Sequence, residues 1–421
     1  MNYEQIEIKQ GIQLHKIETN KFKTNLLSVF LTVPLSKEEV TKQALIPAVL
    51  RRGNMKYKTS EEISIKLEEM YGATFDCGIE KTGNNHIIKI YLETINDEFL
   101  PQKEDILENG INEILEIVFN PLVENEAFKK EYVEVQKTNL KNIIEGKKDN
   151  KAKYALDRCI EEMYKNKVYG LYKYGNVEDL ENINEKNLYE CYKKIIKNAK
   201  IDIFISGQNI QKSEQIINNN ENIKKLEPRT PNFIRNSIDD IKITSPNVIQ
   251  ESMNVTQGKL VIGLDIDEYS PKEKFVAIVY NSILGGTANS KMFQNVREKE
   301  SLAYTASSNY LKQKNTIFIR CGIEIKNYDK ALTIIKKQLE DMKTGNFSNE
   351  DVQNAKSSII STIKFIPDEQ DTEITYYFGQ EFNDKFINFE EYINEVNEVT
   401  KEDIMDLANK ININTIYFLK D

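Results

Sequence analysis

The sequence predicts an α+β protein made of two tandem homologous halves, each an antiparallel sheet layered with helices. Three observations predict it. The stretch Ile283–Tyr304, ILGGTANSKMFQNVREKESLAY, closes an apolar-periodic helix, turns at Gly285-Gly286, opens a second helix and enters a strand, and Leu45–Phe75 reads as an earlier version of the same unit. HIIKIYLETI, from His86, matches TIFIRCGIEI, from Thr316, and NAKIDIFIS near the end of the first half matches NINTIYFLK near the end of the second. Each half then reads strand, helix, helix, hairpin, three helices, strand, and runs of helices beside an antiparallel hairpin make a layered α+β fold.

In chain order, NLLSVFLTVPL is apolar on both faces, as a covered central strand is. Ser36 with Glu39 has capping-box spacing and opens a helix containing ALIPAVLRR, with Pro47 inside it and Gly53 after it. Thr59 with Glu62 opens a second helix, stopped at Gly72. ATFDCGIEK and HIIKIYLETI form a hairpin across Gly83-Asn84-Asn85. Amphipathic helices follow, one carrying Ile106, Ile111 and Val118, the next Phe128, Tyr132, Val135, Leu140 and Ile143, before a buried-type strand at Ile201–Ser206. These elements make a first half over 1–217. Residues 218–257, with NNNEN, EPRTPN and TSPN, read as a linker, and 258–421 as the second half. There KLVIGLDID is a strand, Ser270-Pro271 starts a helix, Gly285-Gly286 caps its C-terminus, and Ser348 and Thr400 open later helices.

Composition excludes several classes of function. A length of 421 residues with 40% hydrophobic and 29% charged residues is that of a globular chain of two or three domains. A net charge of −9 with lysines dispersed among acids argues against nucleic acid and anionic membrane surfaces as partners. The N-terminal stretch has no apolar signal-peptide core, and no apolar run is long enough to span a bilayer, so a cytoplasmic location is expected. Cys77, Cys159, Cys191 and Cys321 are far apart and are expected as buried thiols. The two histidines, His15 and His86, are expected on half-exposed strands without a catalytic role. Neither a catalytic residue nor a cofactor is expected.

Arg297 and Tyr304 are the pair that chemistry singles out, joined by the short segment EKESLA. A guanidinium and a phenol facing one cleft bind the carbonyls or a carboxylate of an extended peptide. The competing reading pairs Arg297 with Glu298 or Glu300 and packs Tyr304 under the sheet.

The segment carrying them resembles the second-domain signature of the insulinase/pitrilysin/mitochondrial-processing-peptidase family, in Leu284-Gly285-Gly286, Ser290-Lys291, Phe293, Arg297-Glu298 and Leu302-Ala303-Tyr304. The resemblance spans essentially the whole chain and implies the metalloprotease fold of the LuxS and processing-peptidase type, with Arg297 and Tyr304 holding a peptide or protein substrate. Active members carry zinc on H-x-x-E-H and a later glutamate. Counted back from Gly53, the histidine positions fall on Ala44 and Ala48 and the glutamate on Pro47. Counted back from Asp149-Asn150, the later ligand falls near Ile143. None of these side chains offers a lone pair to zinc, so no metal is expected here. VYGLYKYGNVEDLENINEKNLYECYKK and Tyr71-Gly72-Ala73 are similar to bacterial non-catalytic members associated with 5-aminopentanol modification of elongation factor P. This implies a catalytically inert subunit that completes a peptide-holding chamber beside a motif-bearing insulinase-family partner. The alternatives are an active peptidase with an unorthodox site, or a stand-alone homodimeric protein-binding module.

Overall fold

A computed structural model describes residues 2–102, 104–235 and 238–421. The first part of the chain runs β1 (Tyr3–Lys9), β2 (Ile12–Glu18), β3 (Thr24–Pro34), α1 (Val40–Leu50), α2 (Ser60–Glu69), β4 (Thr74–Thr82), β5 (Asn85–Ile95) and α3 (Ile106–Phe119). It continues through the short pair β6 (Val123–Glu124) and β7 (Ala127–Phe128), then α4 (Lys130–Glu145), α5 (Lys151–Met163), α6 (Val177–Leu180), α7 (Glu185–Asn198), β8 (Lys200–Gly207), α8 (Ser213–Asn219) and α9 (Glu221–Lys225). The second part holds β9 (Asn247–Ser252), β10 (Gly258–Ile266), α10 (Lys274–Asn281), β11 (Ala303–Leu311) and β12 (Thr316–Ile323). It ends with α11 (Tyr328–Lys343), α12 (Asn349–Phe365), α13 (Gln370–Gln380), α14 (Phe389–Glu398), α15 (Lys401–Asn409) and β13 (Ile411–Lys420).

The duplication is visible in the sheets. One has the order β1-β2-β8-β3-β5-β4 and the other β11-β12-β10-β13-β9, so five strands follow the same order in both. Antiparallel pairing dominates, but β2 runs parallel to β8 and β9 parallel to β13. β3 is the covered strand expected from its two apolar faces, with nine consecutive buried residues between β5 and β8. Thr59 forms a capping box with Glu62, as its spacing predicts, and Thr400, expected to open a helix, forms one with Asp403. Ser36 does not: its hydroxyl goes to Glu38, and α1 starts at Val40 after a turn in which Ser36 offers only its carbonyl. Residues 218–257, expected as a joint, contain α9 and the sheet strand β9.

Two compact units emerge: Met1–Glu145 with Leu171–Arg235 and Pro367–Phe382, and Gly146–Gly170 with Asn236–Ile366 and Asn383–Asp421. Each sheet is therefore covered in part by a helix from the other half of the sequence. In the second unit α5 buries Tyr154, Ala155, Cys159 and Met163 against β10 and β13. Gly263 on β10 makes room for it, since a Cβ there would lie 2.6 Å from the Met163 sulfur. In the first unit α13 stacks Phe378 on Phe30 with ring centroids 4.0 Å apart. Its Gln370 amide donates to the Ser206 carbonyl at 2.9 Å, and Lys89 pairs with Asp371 at 2.5 Å. The four cysteines are free thiols, three of them buried.

Candidate functional site

The degenerate metal positions lie in the first unit. Ala44 and Pro47 are buried in α1, Ala48 is half-buried, and Ile143 is 48% exposed on α4, which packs against α1. Two of the polar groups that meet α1, Cys77 and His86, are neutral. Cys77 donates its proton to the Pro47 carbonyl at 3.2 Å, and burial pushes this thiol up to about 12, leaving no thiolate ligand or nucleophile. His86 is fully buried rather than half-exposed, because β5 is covered on both faces. Its Nδ1 lies 2.7 Å from the Gln43 Oε1, on α1, and so carries the proton. Burial pulls this imidazole down to about 4, with the Lys81 and Lys173 charges adding to the effect.

That shift gives a pH prediction. A histidine held neutral in the fold contributes stability that is complete above its unfolded value near pH 6.5 and is lost as pH falls through its folded value. Acidification from pH 7 to 4 should cost about 2–3 kcal/mol through His86. His86→Gln should flatten that part of the pH profile in urea unfolding, and an unchanged slope would refute this assignment.

His15 also departs from expectation. It is buried on β2, stacked on Phe204 at 4.1 Å, with Nδ1 2.8 Å from the Tyr3 hydroxyl and Nε2 2.9 Å from Asp202. His15, Asp202 and Glu381 bring ligand atoms within 4.8 Å of one another, the spacing a metal centre needs. The Lys200 ammonium already sits among them, pairing with the Asp202 carboxylate and with Glu381 at 2.9 Å. The cluster thus sets one ammonium between two carboxylates and fastens the end of α13 to the sheet of the first unit. The separation of Lys200 from Glu381 along the chain hid it. The available signal was a lysine and an aspartate two apart, on one face of an otherwise apolar strand.

The second unit carries Arg297 and Tyr304. The predicted pair of α-helices around Gly285-Gly286 departs from α geometry: Ser282–Gly286 and Met292–Lys299 are π-helical, a rare form frequent at functional sites. Neither glycine is a left-handed cap. Gly285 is required for another reason, because a Cβ would lie 2.4 Å from the Ser308 nitrogen of β11. The Ser308 hydroxyl also donates to Asn281 Oδ1 at 2.8 Å, fastening β11 to this helix. Lys291 pairs with Asp341 at 3.5 Å and Asn295 donates to Gln338 at 2.9 Å, which ties the π-helical segment to α11.

Arg297 projects from this braced segment. Its guanidinium lies 4.4 Å from the Phe293 ring centroid, its Nε is 3.5 Å from Glu298, and the side chain is 42% exposed. An exposed pair that long contributes little, and Glu300 is engaged by Lys330 instead. Ser301 then takes φ +50°, and the chain enters β11, an edge strand. Ala303 faces Ile323 and Thr305 faces Gly322, which leaves Tyr304 as the extra residue of a β-bulge. Tyr304 is 71% exposed rather than packed under the sheet. Among the described residues its hydroxyl has no hydrogen-bond partner, and no bond joins it to Arg297.

A curated relative, the "probable inactive metalloprotease YmfF" of Bacillus subtilis, is 35% identical over 411 residues, covering 97% of this chain and 96% of its own. The chain belongs to the peptidase M16 family. Residues 182–359 match the family model described as the peptidase M16 inactive domain. A conserved protein from Enterococcus faecalis is 26% identical, with a TM-score of 0.89 over 100% of this chain and 99% of its own. The peptidase M16 inactive domain from Pseudomonas fluorescens, at 16% identity, shares the fold with a TM-score of 0.79, covering 100% and 98% of the two chains. With these relatives and a motif helix of alanine and proline, this chain is an inactive, peptidase-like M16 protein. Among its described residues no helix is long and apolar enough to cross a membrane.

Proposed function

We propose that this M16 chain is the non-catalytic subunit of a zinc-peptidase-like pair, and that it holds an extended peptide at the Arg297–Tyr304 surface. A motif-bearing insulinase-family partner supplies the metal, and the pair works in the cytoplasm, in the modification of elongation factor P. The observation that carries the reading is Tyr304, turned outwards by a bulge on an edge strand, its hydroxyl unbonded among the described residues. An edge strand offers unpaired backbone groups to an extended peptide. Arg297, earlier in the same segment, lies over the Phe293 ring with only a loose carboxylate partner, so its N–H groups are available to a carbonyl or carboxylate.

Affinity purification of the full chain from its native cells should recover a stoichiometric relative bearing H-x-x-E-H. Recovery of this chain alone would refute the paired reading and favour a homodimeric binding module. With the purified pair, Arg297→Ala and Tyr304→Ala should each lower turnover of reduced casein about tenfold. Both should leave the urea midpoint of this chain unchanged. Full turnover in Arg297→Ala would remove the substrate-holding role. Loss of the 5-aminopentanol mass from elongation factor P in a deletion strain tests the pathway, and an unaltered mass would detach the chain from it.

A further inference from the structure

The second unit contains a cavity of about 350 Å³ whose charge is opposite to that of the whole chain. Lys274, Lys312 and Lys385 line it against one carboxylate, Asp384, while the chain carries a net −9. Part of its wall is apolar, from Ile238, Pro271 and Ile387. Lys274 opens α10 directly after the turn Pro271–Glu273, at the end of the helix where backbone N–H groups point outwards. Its ammonium donates to the neutral Asn383 Oδ1 at 2.9 Å. Lys312 approaches the Tyr392 hydroxyl at 3.4 Å and lies 5.5 Å from the centre of that ring.

Among the described residues none of the three lysines belongs to an ion pair. The buried Lys200 and Lys314 are paired instead, Lys200 with Asp202 and Glu381 and Lys314 with Asp239. Burial, helped by the Lys312 charge and opposed by Asp384, lowers the Lys274 amine to about 8. Two cations that repel one another in a partly dry cavity are a poor arrangement for stability alone. An anion between them relieves the repulsion.

We propose that this cavity binds a small organic acid, its carboxylate between the Lys274 and Lys312 ammonium groups and its apolar body against Ile238, Pro271 and Ile387. The volume is at the lower end of ligand pockets and suits an acid of about six carbons. That chemistry has two sources, a free acid or the C-terminal residue of a peptide. The proposal is independent of the role given to Arg297 and Tyr304.

Calorimetric titration of the full-length chain tests it, with hexanoate for a free acid, N-acetyl-leucine for a peptide end, and N-acetyl-leucinamide as the uncharged control. At least one acid should bind saturably, and the amide should not. Lys274→Met should weaken binding at least tenfold, and Lys312→Met, at an exposed position, several-fold. Lys274→Arg, which keeps the charge, should restore most of the affinity. The titratable groups facing Lys274 across the cavity are Lys312, Asp384, Lys385 and Tyr269. A bound anion favours the charged amine, so binding at pH 8 should take up protons, read from the buffer dependence of the heat. Tighter binding of hexanoate identifies a free acid, and tighter binding of N-acetyl-leucine a peptide end. No saturable binding of either acid, equal binding of the amide, or full affinity in both methionine variants would overturn the proposal.

Discussion

Replacing Lys200 by Met should destabilise the first unit by about 3–5 kcal/mol, the cost of leaving buried charge without its partner. Lys200 is 7% exposed and lies between Asp202, fully buried, and Glu381. Burial disfavours the charge on Asp202, but the Lys200 and His15 contacts win there and hold its carboxyl below the usual range. Lys200 itself is raised: burial opposes the shift, and Asp202 and Glu381 outweigh it. The Asp202 contribution is therefore present above the unfolded carboxylate value near pH 4 and lost as pH falls through its lowered folded value. The Lys200 contribution is present below the unfolded lysine value near pH 10 and lost as pH rises through its raised one. In Lys200→Met the deficit should be largest between those limits and shrink in acid, where protonation removes the stranded carboxylate charges. Urea unfolding of both proteins at pH 7 and pH 3 reads this directly. An equal midpoint at pH 7 would mean that the cluster is not a closed ion-pair centre.

Gly285→Ala should cost about 1–3 kcal/mol, although alanine is ordinarily the better helix residue. The added methyl would meet the Ser308 nitrogen at 2.4 Å and its hydroxyl at 2.6 Å. That nitrogen belongs to a strand paired with β12, so the strand must shift as a body. Gly379→Ala in α13 is the control, since nothing lies within 4 Å of a Cβ there. It should raise stability by about 0.4–1 kcal/mol. Because β11 carries Tyr304, proton exchange at Tyr304 and Thr305 should also quicken in Gly285→Ala. A variant as stable as the parent would show that the helix and strand have slack between them.

The fold was legible wherever the pattern is local. The two-sided apolar run of β3, the Thr59 and Thr400 capping boxes and the β4–β5 hairpin are written in a few neighbouring residues. The repeated strand order follows from the repeated segments. Non-local facts escaped. Nothing near Gly285 announces Ser308, so a glycine that admits a neighbouring strand reads as a helix cap. His15 and His86 read as half-exposed because their strands alternate, while layers on both faces cover them. The bulge at Tyr304 depends on its register against β12 and has no signature in EKESLAYT.

The exchange of α5 and α13 sets the order in which the chain is completed. As residues emerge from the ribosome, the first sheet gains its last strand, β8, by residue 207, yet it still lacks α13 and the Glu381 carboxylate. Until about 170 further residues have been synthesised, Lys200 and Asp202 wait without their third partner, and Phe30 lacks the ring that stacks on it. Meanwhile α5 has no sheet to cover until β10 and β13 exist, the latter not complete before residue 420. A nascent chain cut anywhere before residue 370 therefore exposes unfinished surfaces in both units. The first unit can close only after Phe382 has emerged, and the second only after β13 has.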